Sequence, residues 1–367
     1  MGFTAKLQFA NSQCNSNMLY WSKIAIPDPF IAFEINGQKI AVVNSLELEN
    51  MKKNSAFHDI INIDEVLCKN RDPAEIIKTL GAKYDVDKWS VPYDFPAGLW
   101  VKLKSEGTRL SFCEQERFIE ERTIKSSEEI RYIKEACEIT AKALDVAQSI
   151  IADSMPDNNN ILIFKGNMLT SNQLRREIEI VCAKNGAVAK NTIVSCGKHS
   201  AQPHNPGKGP LFANQFIVID IFPKVMTTGY HGDMTRTFIK GTPSHSQIQM
   251  YNAVKKAQTD SIKNAKAGAS CKYIHNNNLK LFASLEFHTD YAKSEGFFHS
   301  TGHGLGLDVH EFPGIGNLDV ALQNNMVVTI EPGLYYRDIG GVRLEDVIVI
   351  KEFNCEMLSN FNYDWIL

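Results

Sequence analysis

The chain has 367 residues, 44% of them hydrophobic and 22% charged, a composition typical of a globular protein with two domains. Its 39 basic and 42 acidic residues leave a net charge of -3, so no overall field favours nucleic acid or an anionic membrane. The sequence lacks an apolar run of about 18 residues and a secretory signal at its start. We therefore expect a cytoplasmic protein with neither a nucleic-acid nor a membrane partner.

The segment before residue 123 is predicted to form an α/β or α+β domain. The runs IAFEI and KIAVV flank Asn36-Gly37, a dipeptide that favours the tight turn of a hairpin. Asp72 and Pro73 suit the N-cap and the first position of a helix over DPAEIIKTL. The next stretch, SVPYDFPAGLWVKLK, contains three helix breakers. Because no cluster of reactive side chains occurs here, we expect a scaffold or a domain that shapes the substrate site.

A change of pattern near residue 122 predicts a boundary between domains 1–122 and 123–367. Ser126 and Glu129 have the spacing of a capping box, and an apolar stripe with helical spacing follows them. A long helix is therefore expected to open the second domain.

The second domain is predicted to be α+β, with helices on one face of an antiparallel sheet. Thr170 and Gln173 repeat the capping spacing, and a further helix is predicted from about Ser244 to about Ala267. The intervening runs NTIVSCG, QFIVIDIF and TGYHGDMTRTFIKG read as strands. The eight cysteines of the chain are scattered singly, which is typical of reduced and buried thiols.

Two aspartates occupy predicted strands of this domain. Asp220 lies in FIVIDIF and Asp233 in YHGDMTRTF. Taken singly, each fits a residue that caps a turn at a strand end. Two strands joined as a hairpin would instead bring the two carboxylates opposite each other, where they could converge on a divalent metal ion.

Further metal-ligand types lie between residues 298 and 347. His303 occurs in HSTGHGLGLDVHE, Glu331 in TIEPGLYY and Glu345 in GGVRLEDV. Glu331 is also compatible with a simple turn, and Glu345 with an ion pair to Arg343. Several carboxylates in apolar runs favour a cation, because an unpaired buried carboxylate is costly. Carboxylates mixed with imidazole suit manganese, cobalt, zinc or iron(II).

These motifs, together with GDMTRTF, resemble those of the pita-bread metallopeptidases, and specifically aminopeptidase P and proline dipeptidase (prolidase). The resemblance implies an α+β fold. It consists of an N-terminal creatinase-like α/β domain and a C-terminal pita-bread catalytic domain, a duplicated α+β unit with a curved antiparallel sheet covered by helices. The thirteen residues that separate Asp220 from Asp233 are about two more than the family pattern.

The same resemblance implies two divalent metal ions per subunit, with manganese as the first candidate and cobalt, zinc or iron(II) as alternatives. Asp220 would bind one ion, His303 and Glu331 would hold the other, and Asp233 and Glu345 would bridge both. Glu331 would also act as the proton shuttle.

Four further residues have implied roles. His310 would stabilise the tetrahedral oxyanion, and His204 and His299 would contact the substrate. Arg343 would orient a metal-binding carboxylate. His231 is expected at the pocket rim or on the surface.

The activity implied by the resemblance is hydrolysis of the Xaa-Pro bond at the N-terminus of short proline-containing peptides, by attack of a hydroxide that bridges the two metals. We favour an Xaa-Pro aminopeptidase, with an Xaa-Pro dipeptidase (prolidase) as the alternative. A metal-free pita-bread hydrolase or binding module is a further alternative, which the five ligand types disfavour. The resemblance also implies a homodimer.

Overall fold

The chain divides into two units, Met1–Arg122 and Thr123–Leu367. The computed structural model describes residues 3–66, 71–113 and 117–367. Cys68, one of the eight cysteines, lies outside these ranges; the other seven form no disulfide. Within the described ranges, no helix is both long and apolar enough to cross a lipid bilayer.

A six-stranded mixed sheet forms the centre of the first unit, in the order β4-β3-β2-β1-β5-β6. The strands are β1 (Phe3–Ala10), β2 (Phe30–Ile35), β3 (Gln38–Val43), β4 (Asp59–Asn62), β5 (Val86–Val91) and β6 (Leu110–Phe112). The helices are α1 (Ser16–Ser22), α2 (Leu48–Asn54), α3 (Pro73–Lys83) and α4 (Ala97–Ser105). Parallel and antiparallel strand pairs occur together with these helices, as an α/β domain requires.

Local sequence signals explain two of these elements. Asn36 and Gly37 both have positive φ and connect β2 to β3, with Ile35 paired to Gln38. The Asp72 carboxylate accepts a hydrogen bond from the amide of Ala74, so the predicted cap of α3 is confirmed. By contrast, α4 was not predicted. Its prolines lie before its first turn, where they do not interrupt a helix.

Four helices of the second unit begin at capping residues. They are α5 (Ser127–Asp153), α6 (Ser171–Lys184), α7 (His245–Asn264) and α8 (Cys271–Ser284). The predicted capping boxes at Ser126 and Thr170 are both formed, and Ser244 caps α7 in the same way. The helix α8, capped by Ser270, was not predicted.

Antiparallel sheets make up the rest of the second unit. The longer strands are β11 (Ile193–Cys196), β12 (Ile217–Ile221), β14 (Met234–Phe238), β15 (Gly302–Gly304), β16 (Glu311–Ile315), β17 (Val327–Ile330), β18 (Gly333–Tyr336), β19 (Gly340–Arg343), β20 (Asp346–Ile350) and β21 (Cys355–Met357). The remaining strands are short: β7 (Met155–Pro156), β8 (Leu162–Phe164), β9 (Asn167–Met168), β10 (Ala187–Val188) and β13 (Lys224–Val225). The main sheets have the orders β11-β12-β14 and β16-β15-β17-β20-β21, and β18 pairs with β19.

The helices cover these sheets and bury the side chains of their strands. Helices α5 and α6 pack on β11, β12 and β14, while α7 and α8 pack on β17 to β20. Helix α5 approaches Gly232 closely, since a Cβ added there would lie 2.5 Å from the carbonyl oxygen of Ala136. This packing fixes the chain immediately before Asp233.

Candidate active site

The predicted metal ligands lie at the ends of strands from both main sheets. Asp220 is in β12, Asp233 directly precedes β14 and His303 is the middle residue of β15. Glu331 directly follows β17, and Glu345 lies between β19 and β20. Residues that are distant in sequence thus converge on one region.

The distances show which of these side chains meet. Ligand atoms of Asp233, His303 and Glu345 all lie within 4.8 Å of one another. The Nε2 atom of His303 is 3.4 Å from Oε1 of Glu331 and 3.9 Å from Oδ2 of Asp233. Asp220 is linked to the group through Arg343, which donates to Oδ2 of Asp220 at 2.7 Å and to the hydroxyl of Thr235, and that hydroxyl in turn donates to Glu345. The five predicted ligands therefore form one cluster.

The sequence predicted that the two aspartates lie directly opposite each other, and this prediction is wrong. The register pairs Asp220 with Thr235, so Asp233 is offset by two positions. Diagonal neighbours of this kind remain close on one sheet face. The connection between the strands contains β13, which pairs with β10, and β12 and β14 pair in a continuous antiparallel register on either side of it.

Burial and like charges dominate the electrostatics of the cluster. Burial, with repulsion from the other carboxylates, holds the pKa of Asp233 and of Glu345 well above the usual range. Burial also raises the pKa of Glu331 to about 8, although Arg343 opposes this shift. Burial and then the neighbouring His310 lower the pKa of His303 to about 4, which leaves a neutral imidazole suited to metal ligation.

The residues present fit divalent metal ions. The Oδ1 atoms of Asp220 and Asp233 are both buried and have no hydrogen-bond partner among the described residues. Such orphaned carboxylate oxygens are rare unless a cation satisfies them. Carboxylates with one imidazole are also the ligand set expected for manganese, zinc, cobalt or iron(II).

Neighbouring polar side chains orient these carboxylates. Arg343 is buried and donates to Oδ2 of Asp220 at 2.7 Å and to the hydroxyl of Tyr335 at 3.0 Å. The hydroxyl of Thr235 donates to Oε2 of Glu345 at 2.7 Å. Arg343 was predicted to contact a metal-binding carboxylate, whereas Tyr335 and Thr235 were not identified. The position of Thr235, two residues after Asp233 on a predicted strand, was the signal available in the sequence.

The predicted substrate histidines lie beside the cluster. The Nε2 atom of His299 is 3.1 Å from the hydroxyl of Tyr335, and the ring of His310 meets that of His303 edge-on with centroids 4.3 Å apart. Partial burial, and then repulsion from His204, lower the pKa of His310. His204 itself is exposed in a turn and therefore accessible to a ligand.

His231, expected at the pocket rim or on the surface, is half-buried. Its ring is mostly buried, with Nδ1 at 3.3 Å from the carbonyl oxygen of Phe222, and its amide donates to the carbonyl of Gly306. Burial lowers its pKa to about 4. The residue therefore joins two loops of the fold.

Comparisons with known proteins agree with this geometry. Residues 131–352 match metallopeptidase family M24. An Xaa-Pro dipeptidase of Pyrococcus horikoshii is 32% identical over 290 residues, which cover 78% of this chain and 74% of the relative.

Solved structures show the same likeness over nearly the whole chain. A prolidase from Pyrococcus horikoshii OT3 superimposes with a TM-score of 0.81 at 27% identity, over 98% of this chain and 95% of the other. An X-Pro aminopeptidase from Thermotoga maritima gives a TM-score of 0.82 at 25% identity, over 99% and 97% of the two chains. The predicted fold, with a pita-bread catalytic domain, is thereby confirmed. The chain is a metal-dependent peptidase that belongs to metallopeptidase family M24.

Proposed function

We propose that this protein is an Xaa-Pro dipeptidase, which hydrolyses the bond between the first residue and proline in dipeptides. The observation that carries the proposal is the convergence of Asp233, His303 and Glu345 beside Glu331, in a chain similar to an Xaa-Pro dipeptidase over 78% of its length. From the sequence we expected an Xaa-Pro aminopeptidase. The dipeptidase relative supports the alternative better, while the Thermotoga maritima X-Pro aminopeptidase keeps the aminopeptidase as a second candidate.

Two divalent ions are proposed to bind the five-residue cluster, with Mn²⁺ as the first candidate and Co²⁺, Zn²⁺ or Fe²⁺ as alternatives. The ligands are Asp220, Asp233, His303, Glu331 and Glu345. Bound there, the ions would lower the pKa of a water molecule and act as a Lewis acid towards a carbonyl group. The orphaned oxygens of the two aspartates support this assignment.

Glu331 is proposed to move the proton in hydrolysis. Its carboxylate adjoins the metal-ligand His303, and its side chain is 15% exposed, so a substrate can reach it. Hydrolysis adds the oxygen of water to the carbonyl carbon and breaks the bond to the proline nitrogen. The carboxylate would accept a proton from the attacking water and return it to that nitrogen, which leaves as a secondary amine.

Three histidines are proposed to bind the substrate. His310 is exposed beside His303, where its ring N–H could donate to the oxyanion of the tetrahedral intermediate. His204 and His299 would contact the peptide. Proline has no backbone N–H and its ring fixes φ. A site that recognises an Xaa-Pro bond must therefore bind other groups of the peptide, as these histidines would.

The assignment of residues 1–122 to a creatinase-like domain and of 123–367 to the catalytic domain is also proposed, as is a homodimer. A single sedimentation equilibrium measurement of the full chain distinguishes a dimer from a monomer.

The decisive experiment compares turnover of Ala-Pro, Ala-Pro-Ala and Ala-Ala-Ala by the purified protein. Each is measured before chelation, after chelation and after manganese is restored. Manganese-dependent cleavage of Ala-Pro alone is expected. Preference for Ala-Pro-Ala would establish the aminopeptidase, and cleavage of Ala-Ala-Ala at a similar rate would refute proline specificity.

Glu331→Gln tests the proton-transfer role, and Glu177→Gln is its control. The Glu331→Gln variant should lose turnover on every peptide, whereas Glu177→Gln, which changes an exposed glutamate of α6, should keep it.

A further inference from the structure

A buried ion pair lies beside the catalytic cluster and is not among its proposed ligands. The Nζ atom of Lys125 is 2.7 Å from Oε2 of Glu311, and the two side chains are only 2% and 7% exposed. A buried ion pair gains little net stability over well-packed apolar residues, because both charges lose their hydration. Its presence at this position is therefore better explained by a role in fixing the position of the neighbouring backbone.

Lys125 is attached to a rigid part of the fold. Its amide donates to the carbonyl oxygen of Asn325, and the next residue, Ser126, is the N-cap of α5. The capping glutamate, Glu129, also accepts a hydrogen bond of 2.5 Å from the hydroxyl of Tyr230. The ammonium group of Lys125 thus projects from a backbone held on two sides.

Glu311 closes the loop between β15 and β16. It directly follows His310, and its Oε1 atom accepts a hydrogen bond of 3.2 Å from the amide of Asp308. Its carboxylate lies against Gly306, where an added Cβ would be 2.6 Å from Oε2. One carboxylate therefore binds the loop backbone through one oxygen and Lys125 through the other.

The position of His310 depends on this loop. His310 is exposed, so packing alone does not fix its ring. The backbone of the loop is tied by the amide of Leu305 to Val327 and by the carbonyl of Gly306 to His231, but both contacts lie at the start of the loop. At the end of the loop, Glu311 begins β16 and pairs with Gly304 of β15, and the Lys125–Glu311 pair adds a buried side-chain contact next to His310.

We propose that Lys125 and Glu311 are positioning residues that hold His310 at the distance from the metal ligands needed for oxyanion binding. This inference rests on the proposed function, because it assumes that His310 contacts the substrate. The pair itself touches neither substrate nor metal. Displacement of a catalytic group by about 1 Å costs up to about 100-fold in rate, so loss of the anchor should lower kcat.

The test uses Lys125→Met in the full, manganese-loaded protein, with Lys256→Met as its matched control. Lys256 forms an exposed pair with Asp260, so its loss removes a lysine without disturbing the loop. We expect Lys125→Met to lower kcat by about 10- to 100-fold, with KM changed by less than about threefold and the metal content unchanged. Lys256→Met should behave as the wild type.

A double-mutant cycle with His310→Ala distinguishes a positioning effect on His310 from a general loss of structure. If the pair acts through His310, Lys125→Met should lower kcat by less than about twofold in the His310→Ala background. A full additional loss there would overturn the proposal. Should Lys125→Met fail to fold, Glu311→Gln replaces it, because it keeps the acceptor for Asp308 and removes only the charge.

Hydrogen exchange gives a readout that does not depend on turnover. Amides of the loop from residue 305 to 310 should exchange at least about tenfold faster in Lys125→Met, while those of β20 stay unchanged. Unchanged loop exchange would refute the anchor. If the wild type fails to cleave any proline peptide, the proposed function fails, and a loop loosened by the substitution would still establish the anchor.

Discussion

Removal of metal should destabilise the folded protein, and more strongly at about pH 8 than at about pH 6. The perturbation is chelation followed by dialysis. In the metal-free protein, burial raises the pKa of Glu331 to about 8, and burial with mutual repulsion raises the pKa of Asp233 and Glu345. The folded metal-free protein therefore binds protons that the unfolded chain has released.

The sign and size follow from Glu331. Its pKa is raised on folding, so its contribution to stability is complete below the unfolded value of 4.5 and is lost as pH rises through about 8. Each pH unit well inside this window costs about 1.4 kcal/mol, and because the slope flattens near pH 8 the loss between about pH 6 and about pH 8 is about 2 kcal/mol. Metal-bound carboxylates are already ionised, so the loaded protein avoids this loss. For a unit of this size, about 2 kcal/mol changes Tm by about 4–8 °C.

The assay is scanning calorimetry of manganese-loaded and metal-free protein at both pH values. The difference in Tm between the two forms should widen by about 4–8 °C at the higher pH. Glu331→Gln removes one titrating group and should reduce the widening, whereas the exposed Glu177→Gln should preserve it. An equal difference at both pH values would refute the reasoning.

Four substitutions extend these tests. Asp233→Ala and Glu345→Ala should each abolish metal binding and turnover, measured by elemental analysis and peptide hydrolysis; full activity in Glu345→Ala would defeat the two-metal assignment. His310→Ala should keep its metal but lose about 100- to 1,000-fold in kcat, because it removes one proposed oxyanion donor, and loss of metal would contradict that role. Gly232→Ala should lower the unfolding free energy by about 1–3 kcal/mol in denaturant titrations, because its Cβ would meet the carbonyl oxygen of Ala136 at 2.5 Å. An unchanged midpoint would argue against that close contact.

Features set by neighbouring residues were predictable from the sequence. The capping boxes at Ser126 and Thr170 depend on residues three positions apart, and the hairpin at Asn36-Gly37 depends on two adjacent ones. The metal-ligand types were also recognisable, since their motifs carry carboxylates and imidazole within apolar runs. Their convergence could be proposed but not measured.

Features set by distant partners were not predictable. The helix α8 contains a polar run of asparagines, yet His275 and Asn278 are buried in it, because both bind the hydroxyl of Thr301. Thr235 likewise acquires its role only through Glu345, which lies 110 positions further along the chain. Sequence patterns of a single helix or strand contain no information on such partners.

The wide spacing of the ligands along the chain has a consequence for folding kinetics. Glu345 follows Asp220 by 125 residues, and strands of both main sheets must pair before the two can meet. Contacts between segments so far apart close large loops and form late in folding. A metal ion can therefore add little to the rate of folding, but it binds the finished native state and slows its unfolding. Bound metal should thus act chiefly by lowering the unfolding rate, which lengthens the lifetime of the native fold.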